Sequence, residues 1–297
     1  MTDWETRFEE VVRRKTRDAE SAELSPLETV EVGATHGLEP VGNPWTRHLF
    51  GGDFFISRVS TNSGVTHDIP ATSLVFVQSR DGNTGARNPS ALGGGKTDKH
   101  LIYEGLSRVA ADGVLAGAET IRGSQVIFSL WRSELVELRA ALHLPRHPIQ
   151  IVATLGGLKF DETLLLNVPE LPVIVIATAV WVERMKEELA RRPWIRSIAM
   201  GGPDDLPSAF RMLRSIGVAR ISAIGGRTIA RAMIDAGVIQ DLYLTTSPRA
   251  GGEPDTPLYP TPLDGTLVVR KRGTGPEAGV VFEHLILPTR PSSRPQS

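Results

Sequence analysis

From Ser73 onward the chain repeats one pattern, an apolar run of strand length followed by an amphipathic stretch with helical spacing. The runs fall near 73–78, 112–117, 149–154, 172–177, 195–200 and 219–224, and the helical stretches near 98–110, 133–142, 180–191, 206–216 and 227–236. In the stretch near 206–216, for example, Leu206, Phe210 and Leu213 share a face. A strand that is followed by a helix and then another strand returns parallel to itself, by a right-handed crossover. The pattern therefore predicts an α/β fold, with a mainly parallel sheet flanked by helices. After Asp241 it changes to three strand-like runs near 241–247, 266–271 and 279–287 without helices between them, which predicts antiparallel additions to the same sheet.

The flanks read differently. Residues 4–15 place Trp4, Phe8, Val11 and Val12 on one face of a short helix. From Ser25 to Pro70 the chain is rich in Gly, Pro, Thr and Asn, with one strand expected around Phe54–Val59 and no helix. Residues 1–70 are accordingly expected as an extension, 71–288 as the domain, and 289–297, rich in Pro, Ser and Arg, as a flexible tail.

Composition removes several classes of function. A formal net charge of -1 gives no basic excess for nucleic acid. The absence of cysteine removes disulfides, thiolate nucleophiles and cysteine-type zinc sites. The seven histidines are scattered, and Pro145 interrupts any helix between His143 and His147, so no metal site is expected. The N-terminus is charged and amphipathic, unlike a secretory signal. The longest apolar runs, such as Leu171 to Val182, fall short of the roughly 20 residues that span a bilayer. A cytoplasmic protein without a membrane partner is expected.

In an open α/β sheet, ligands gather beyond the carboxyl ends of the strands, and four such ends carry polar or glycine residues. The run Ala219–Ile224 ends in Gly225-Gly226-Arg227-Thr228 and opens a helical pattern. A helix that starts there leaves its first N–H groups unpaired, so it can seat a phosphate, with Arg227 and Thr228 adding a charge and a hydroxyl. The other ends are Gln78-Ser79-Arg80-Asp81-Gly82, Gly117-Ala118-Glu119-Thr120 and Ala177-Thr178. Asp81 is the best-placed carboxylate. There is no G-x-S-x-G elbow and no G-x-G-x-x-G fingerprint.

The order Ser79-x-Asp81-Gly82, Asp112 with Gly117 and Thr120, Gly225-Gly226-x-Thr228 and Asp241 through Pro248 resembles the reductase domain of bacterial riboflavin biosynthesis, which has a dihydrofolate reductase-like fold. The resemblance covers roughly residues 73–287. It implies an NADPH-dependent reductase, working as a homodimer, that transfers hydride to a small-molecule substrate, a ribosylamino-pyrimidine phosphate. By the same resemblance Gly117, Ala118 and Thr120 line the cofactor, Thr178 lies near its adenosine end, and Gly225, Gly226, Arg227 and Thr228 seat its phosphates. Ser79, Arg80 and Asp81 face the substrate and the nicotinamide, with Asp81 as the catalytic group.

The departures from that pattern concern the substrate half. Ile224 stands where the resembling enzymes place Glu, Val75 where they place Lys, and Ser124 near an expected Asp. A site that has lost polar partners rejects the substrate they served by orders of magnitude, so a substrate other than the usual riboflavin intermediate is expected. Lys96, in Leu92-Gly93-Gly94-Gly95-Lys96-Thr97-Asp98, is a candidate for a substrate phosphate or carboxylate, although the stretch lacks the first glycine and the preceding strand of a nucleotide P-loop. Reduction of dihydrofolate or a pterin is the alternative activity, and a non-catalytic NADPH-binding module the alternative class.

Overall fold

A computed structural model describes residues 3–59, 68–86, 89–122 and 125–288. Its strands are β1 (Leu27–Val32), β2 (Leu38–Val41), β3 (Phe54–Ser57), β4 (Ala71–Gln78), β5 (Gly113–Gly117), β6 (Ile149–Ala153), β7 (Val173–Thr178), β8 (Ile195–Met200), β9 (Arg220–Ala223), β10 (Asp241–Thr246), β11 (Thr266–Gly273) and β12 (Val281–Ile286). Ten of them form one sheet in the order β1-β11-β12-β10-β4-β9-β5-β6-β7-β8, and β2 and β3 form a separate antiparallel pair. From β10 to β8 every pairing is parallel. β12, β11 and β1 are added antiparallel. The expected α/β class, mainly parallel with antiparallel C-terminal strands, is the one observed.

The parallel strands are continuously apolar because both faces are covered. Successive residues alternate between two cores: Val75, Val114 and Val175 pack under the helix Asp3–Glu20, the helical segment 95–109 and the helix Ser133–Ala141, whereas Leu74, Leu115 and Ile174 pack under the helices Leu206–Ser215 and Arg227–Asp235. The stretch expected as one helix over 180–191 is two short ones, Ala179–Arg184 and Lys186–Ala190, divided at Met185. Arg139, 1% exposed, closes the C-terminal end of segment 95–109, its guanidinium donating to the carbonyls of Arg108, Val109 and Ala111 at 3.0, 3.3 and 2.7 Å.

Residues from the expected extension are part of this framework. β1 pairs with β11 from Leu27↔Gly273 onward, and Val11, Ala19, Phe50 and Phe54 belong to the same core as β4 and β5. No helix is expected between Ser25 and Pro70, yet Pro44–Phe50 is one. Asn43 accepts the Thr46 N–H and Thr46 Oγ1 accepts the Asn43 N–H, both at 2.8 Å, which makes a capping box ahead of a favourable first-turn proline. Among the described residues no helix is long and apolar enough to cross a membrane.

Candidate functional site

At the carboxyl ends of β5, β6, β8 and β9 lies a mostly apolar cavity of about 320 Å3. Gly117, Ala118 and Thr120 line it from the β5 end, and Gly226 and Thr228 from the β9 end. The helix Arg227–Asp235 begins here with Gly226 as its N-cap, so no side chain caps its first N–H groups. The two glycines do different things. A Cβ on Gly225 would stand 2.3 Å from Ile229 Cγ2, so this residue permits close packing, whereas a Cβ on Gly226 would meet nothing within 4 Å. Bare backbone, open space and a positive helix end together fit the phosphates of a dinucleotide.

The remaining residues expected around the cofactor have other partners. Thr178 caps the helix Ala179–Arg184, its Oγ1 accepting the Trp181 N–H at 3.3 Å. Arg227 turns toward Glu253, 3.8 Å away. In the cavity wall, Arg122 is paired with Glu119 at 2.6 Å. Asp112 sits at the other end of β5, where its Oδ2 accepts the N–H groups of Ala219 and Arg220 at 2.7 and 2.8 Å and straps β5 to the start of β9.

The β4 end is a tight turn. Ser79 is buried; its N–H donates to the Asn83 carbonyl at 2.9 Å, and its Oγ accepts the Asn83 N–H at 3.3 Å. Gly82 makes the turn possible with φ 79°. Arg80 points to solvent, 4.0 Å from Asp81, and its N–H donates to the Arg249 carbonyl. The Asp81 side chain is 47% exposed and its Oδ2 accepts the Gly251 N–H at 3.1 Å, which ties down the loop after β10. Ser124 lies outside the described residues.

A different carboxyl is held against β10. Asp98 accepts a hydrogen bond from Thr245 Oγ1 on β10, and Thr245 is the register partner of Val77 on β4. Burial pushes the Asp98 carboxyl up to about 6, against the lowering effect of the Thr245 bond and with some repulsion from Glu277. The three glycines before it explain how it gets there. A Cβ on Gly94 would stand 2.6 Å from Asp98 Oδ2 and 3.0 Å from Val77 Cγ2, and Gly93 and Gly95 both have positive φ. Lys96 is exposed, and the N–H groups of Lys96 and Thr97 donate to Glu277 Oε1 at 2.5 and 3.1 Å. The anion seat expected at this helix start thus holds the chain's own carboxylate. Sequence reasoning passed over Asp98 because nothing in its local pattern separates it from a solvent-facing acid at a helix start.

Ile224 and Val75, which stand where polar residues are expected from the resemblance, are each 5% exposed and belong to the core beneath the site. Those positions offer a substrate no polar atom.

Among solved structures the chain is similar to Acinetobacter baumannii RibD, at 15% identity and TM-score 0.57, the match covering 75% of this chain and 59% of that one. It is also similar to a pyrimidine reductase-like protein from Corynebacterium diphtheriae (18% identity, TM-score 0.54, 74% of this chain and 93% of that one). A third similar structure is a riboflavin biosynthesis reductase from Saccharomyces cerevisiae (17% identity, TM-score 0.53, 77% and 93%). At these identities the likeness is one of fold. No curated protein matches the chain. The model of the RibD C-terminal domain matches residues 70–272, more than half of the sequence, and the chain belongs to that family.

Proposed function

We propose that this protein is an NADPH-dependent reductase acting on a heterocyclic substrate, at a C=N or carbonyl carbon, other than the standard riboflavin intermediate. The observation that carries the reading is the single cavity onto which Gly117, Ala118, Thr120, Gly226 and Thr228 converge from two strand ends, beside an uncapped helix start. The cofactor supplies the hydride. Gly226 and Thr228 would hold its phosphates, next to the β4 end where Ser79 and Asp81 shape the turn.

For the proton we assign Asp98 rather than Asp81. A carboxyl titrating near 6 still carries a proton in part of the population at neutral pH, whereas Asp81 is exposed and tied to a loop N–H. Thr245 orients it. The apolar Ile224 and Val75 favour a substrate with fewer polar contacts than the riboflavin precursor. The same buried carboxyl favours a pterin-type ring as the second reading, and pyrimidine and pterin panels separate the two.

Fluorescence titration with NADPH is the direct test. Saturable binding with Asp98→Asn turnover reduced by about a hundredfold or more, at unchanged cofactor affinity, is expected. No dinucleotide binding overturns the reading, and binding without turnover on either panel leaves a nucleotide-binding module.

A further inference from the structure

Glu277, in the turn between β11 and β12, fits where it does because glycine meets both its backbone and its carboxylate. A Cβ on Gly273, at the end of β11, would collide with the Glu277 carbonyl. A Cβ on Gly95, which opens segment 95–109, would stand 2.5 Å from Glu277 Oε1 and 2.7 Å from Cδ. The turn is tied down as well, the Glu277 N–H donating to the Thr274 carbonyl at 3.0 Å and Thr274 Oγ1 to the Pro26 carbonyl at 2.7 Å. Glu277 lies beyond residues 70–272, the stretch that matches the RibD C-terminal domain.

The carboxylate reaches the start of segment 95–109. A helix start leaves its first N–H groups unpaired, and Gly94, in the N-cap position, has no side chain to pair them. Glu277 Oε1 does so from outside, accepting the Lys96 and Thr97 N–H groups at 2.5 and 3.1 Å. The next residue is Asp98. In the first turn of a helix a carboxylate is normally favoured by the positive end of the dipole. Here a negative charge already occupies that end. Burial, joined by repulsion from Glu277, raises the Asp98 carboxyl to about 6 against the bond from Thr245. Thr245, on β10, carries no charge, and burial raises Tyr103 of the same segment above the usual 10, so it is neutral at neutral pH.

Capping alone needs an acceptor, and a neutral amide oxygen would serve. It does not need a charge at the N–H groups next to a buried acid that the charge disfavours. Two carboxyls whose surroundings drive their charge states apart are a means of keeping one of them protonated at neutral pH.

We propose that Glu277 is a positioning residue for the reduction, whose carboxylate caps the segment that carries Asp98 and whose charge keeps the proton on Asp98. The inference rests on the assignment of Asp98 as the proton donor. Glu277 itself touches neither substrate nor cofactor in this role.

The test is an NMR titration of the aspartate carboxyl carbons in the isotope-labelled full chain, with Asp98→Asn to assign the resonance. The wild-type Asp98 midpoint is expected near 6. Glu277→Gln keeps the acceptor oxygen and removes the charge, and should lower that midpoint by roughly half a unit or more. Glu277→Asp keeps the charge on a shorter arm and should stay closer to wild type. A midpoint unmoved by Glu277→Gln, or moved further by Glu277→Asp, overturns the proposal. Should Glu277→Gln fail to fold, Glu277→Ala is read in its place, and an unmoved midpoint has the same force. In turnover at neutral pH, Glu277→Gln should lower kcat about threefold at unchanged NADPH affinity, with the pH profile displaced as far as the NMR midpoint. The titration needs neither cofactor nor substrate, so it can fail while the reductase reading stands. A midpoint that moves beside a turnover profile that does not removes Asp98 from the chemistry, and the positioning role with it.

Discussion

Substituting the paired glycines one at a time separates packing from binding at the β9 turn. In Gly225→Ala the new methyl would lie 2.3 Å from Ile229 Cγ2 and 3.3 Å from the Gly117 nitrogen. Carbon atoms rest at about 3.5–4.0 Å, so something must move by about 1 Å. Ile229 is β-branched and helical, with one strongly preferred rotamer, so it cannot swing aside. Overpacking of this kind costs about 1–3 kcal/mol, and at about 2–4 °C per kcal/mol in large domains the melting temperature should fall by several degrees. Gly226→Ala is the opposite case. Its φ of −64° and ψ of 166° suit any L-residue, and its methyl meets nothing within 4 Å. Melting should be unchanged or raised by about 0.5 kcal/mol, while the methyl, standing where phosphate oxygens are to sit, weakens NADPH binding roughly tenfold. Differential scanning calorimetry and fluorescence titration on the same two proteins give both numbers. A stable Gly226→Ala protein with wild-type NADPH affinity would refute the placement of the phosphates at this turn.

Other perturbations follow from buried polar groups. Asp112→Ala should cost about 2 kcal/mol in urea unfolding, by orphaning the N–H groups of Ala219 and Arg220, without altering cofactor affinity. Arg139→Met strands several carbonyl acceptors and should cost about 3 kcal/mol by the same measurement. Glu104 and Asp98 should respond to pH with opposite sign. Held down from 4.5 to about 2, the Glu104 carboxylate stabilises the fold above pH 4.5 and loses that contribution as pH falls toward 2, so Glu104→Gln should be most harmful at neutral pH, by about 3 kcal/mol. Raised from 3.8 to about 6, Asp98 opposes folding progressively as it ionises, so Asp98→Asn should gain stability relative to wild type between pH 4 and pH 7. Urea midpoints from pH 2 to pH 7 check both.

The parallel centre of the sheet was legible because strands buried on both faces leave continuous apolar runs such as Val173–Ala177, separated by stretches with helical period. β1 was not. Its burial pattern shows one buried residue followed by five exposed, and what makes it a strand is β11, distant in sequence and close only in space. The helix Pro44–Phe50 did have a local signal, the Asn43, Pro44 and Thr46 cap, but at this length propensity alone does not announce it. At the site, the glycines and Thr228 were legible because backbone approach and helix starts have sequence signatures. Asp98 was not, since its burial depends on Thr245 and on where the Gly93–Gly95 backbone passes. Asp112, which belongs to the motif order as much as Gly117 does, turns out to strap two strands at the far end from the cavity.

The pairing of β1 with β11 also sets a timetable. Val32 meets Val269, so a strand made early waits for a partner about 240 residues later. At about 5–20 residues per second, translation leaves that edge open for roughly 10–50 s. β4 waits similarly for β10, since Asp241 registers with Ser73. The sheet is therefore closed from its last-made strands, and a ribosome-bound chain stopped before residue 266 would display an unpaired strand, a substrate for chaperones rather than for chemistry.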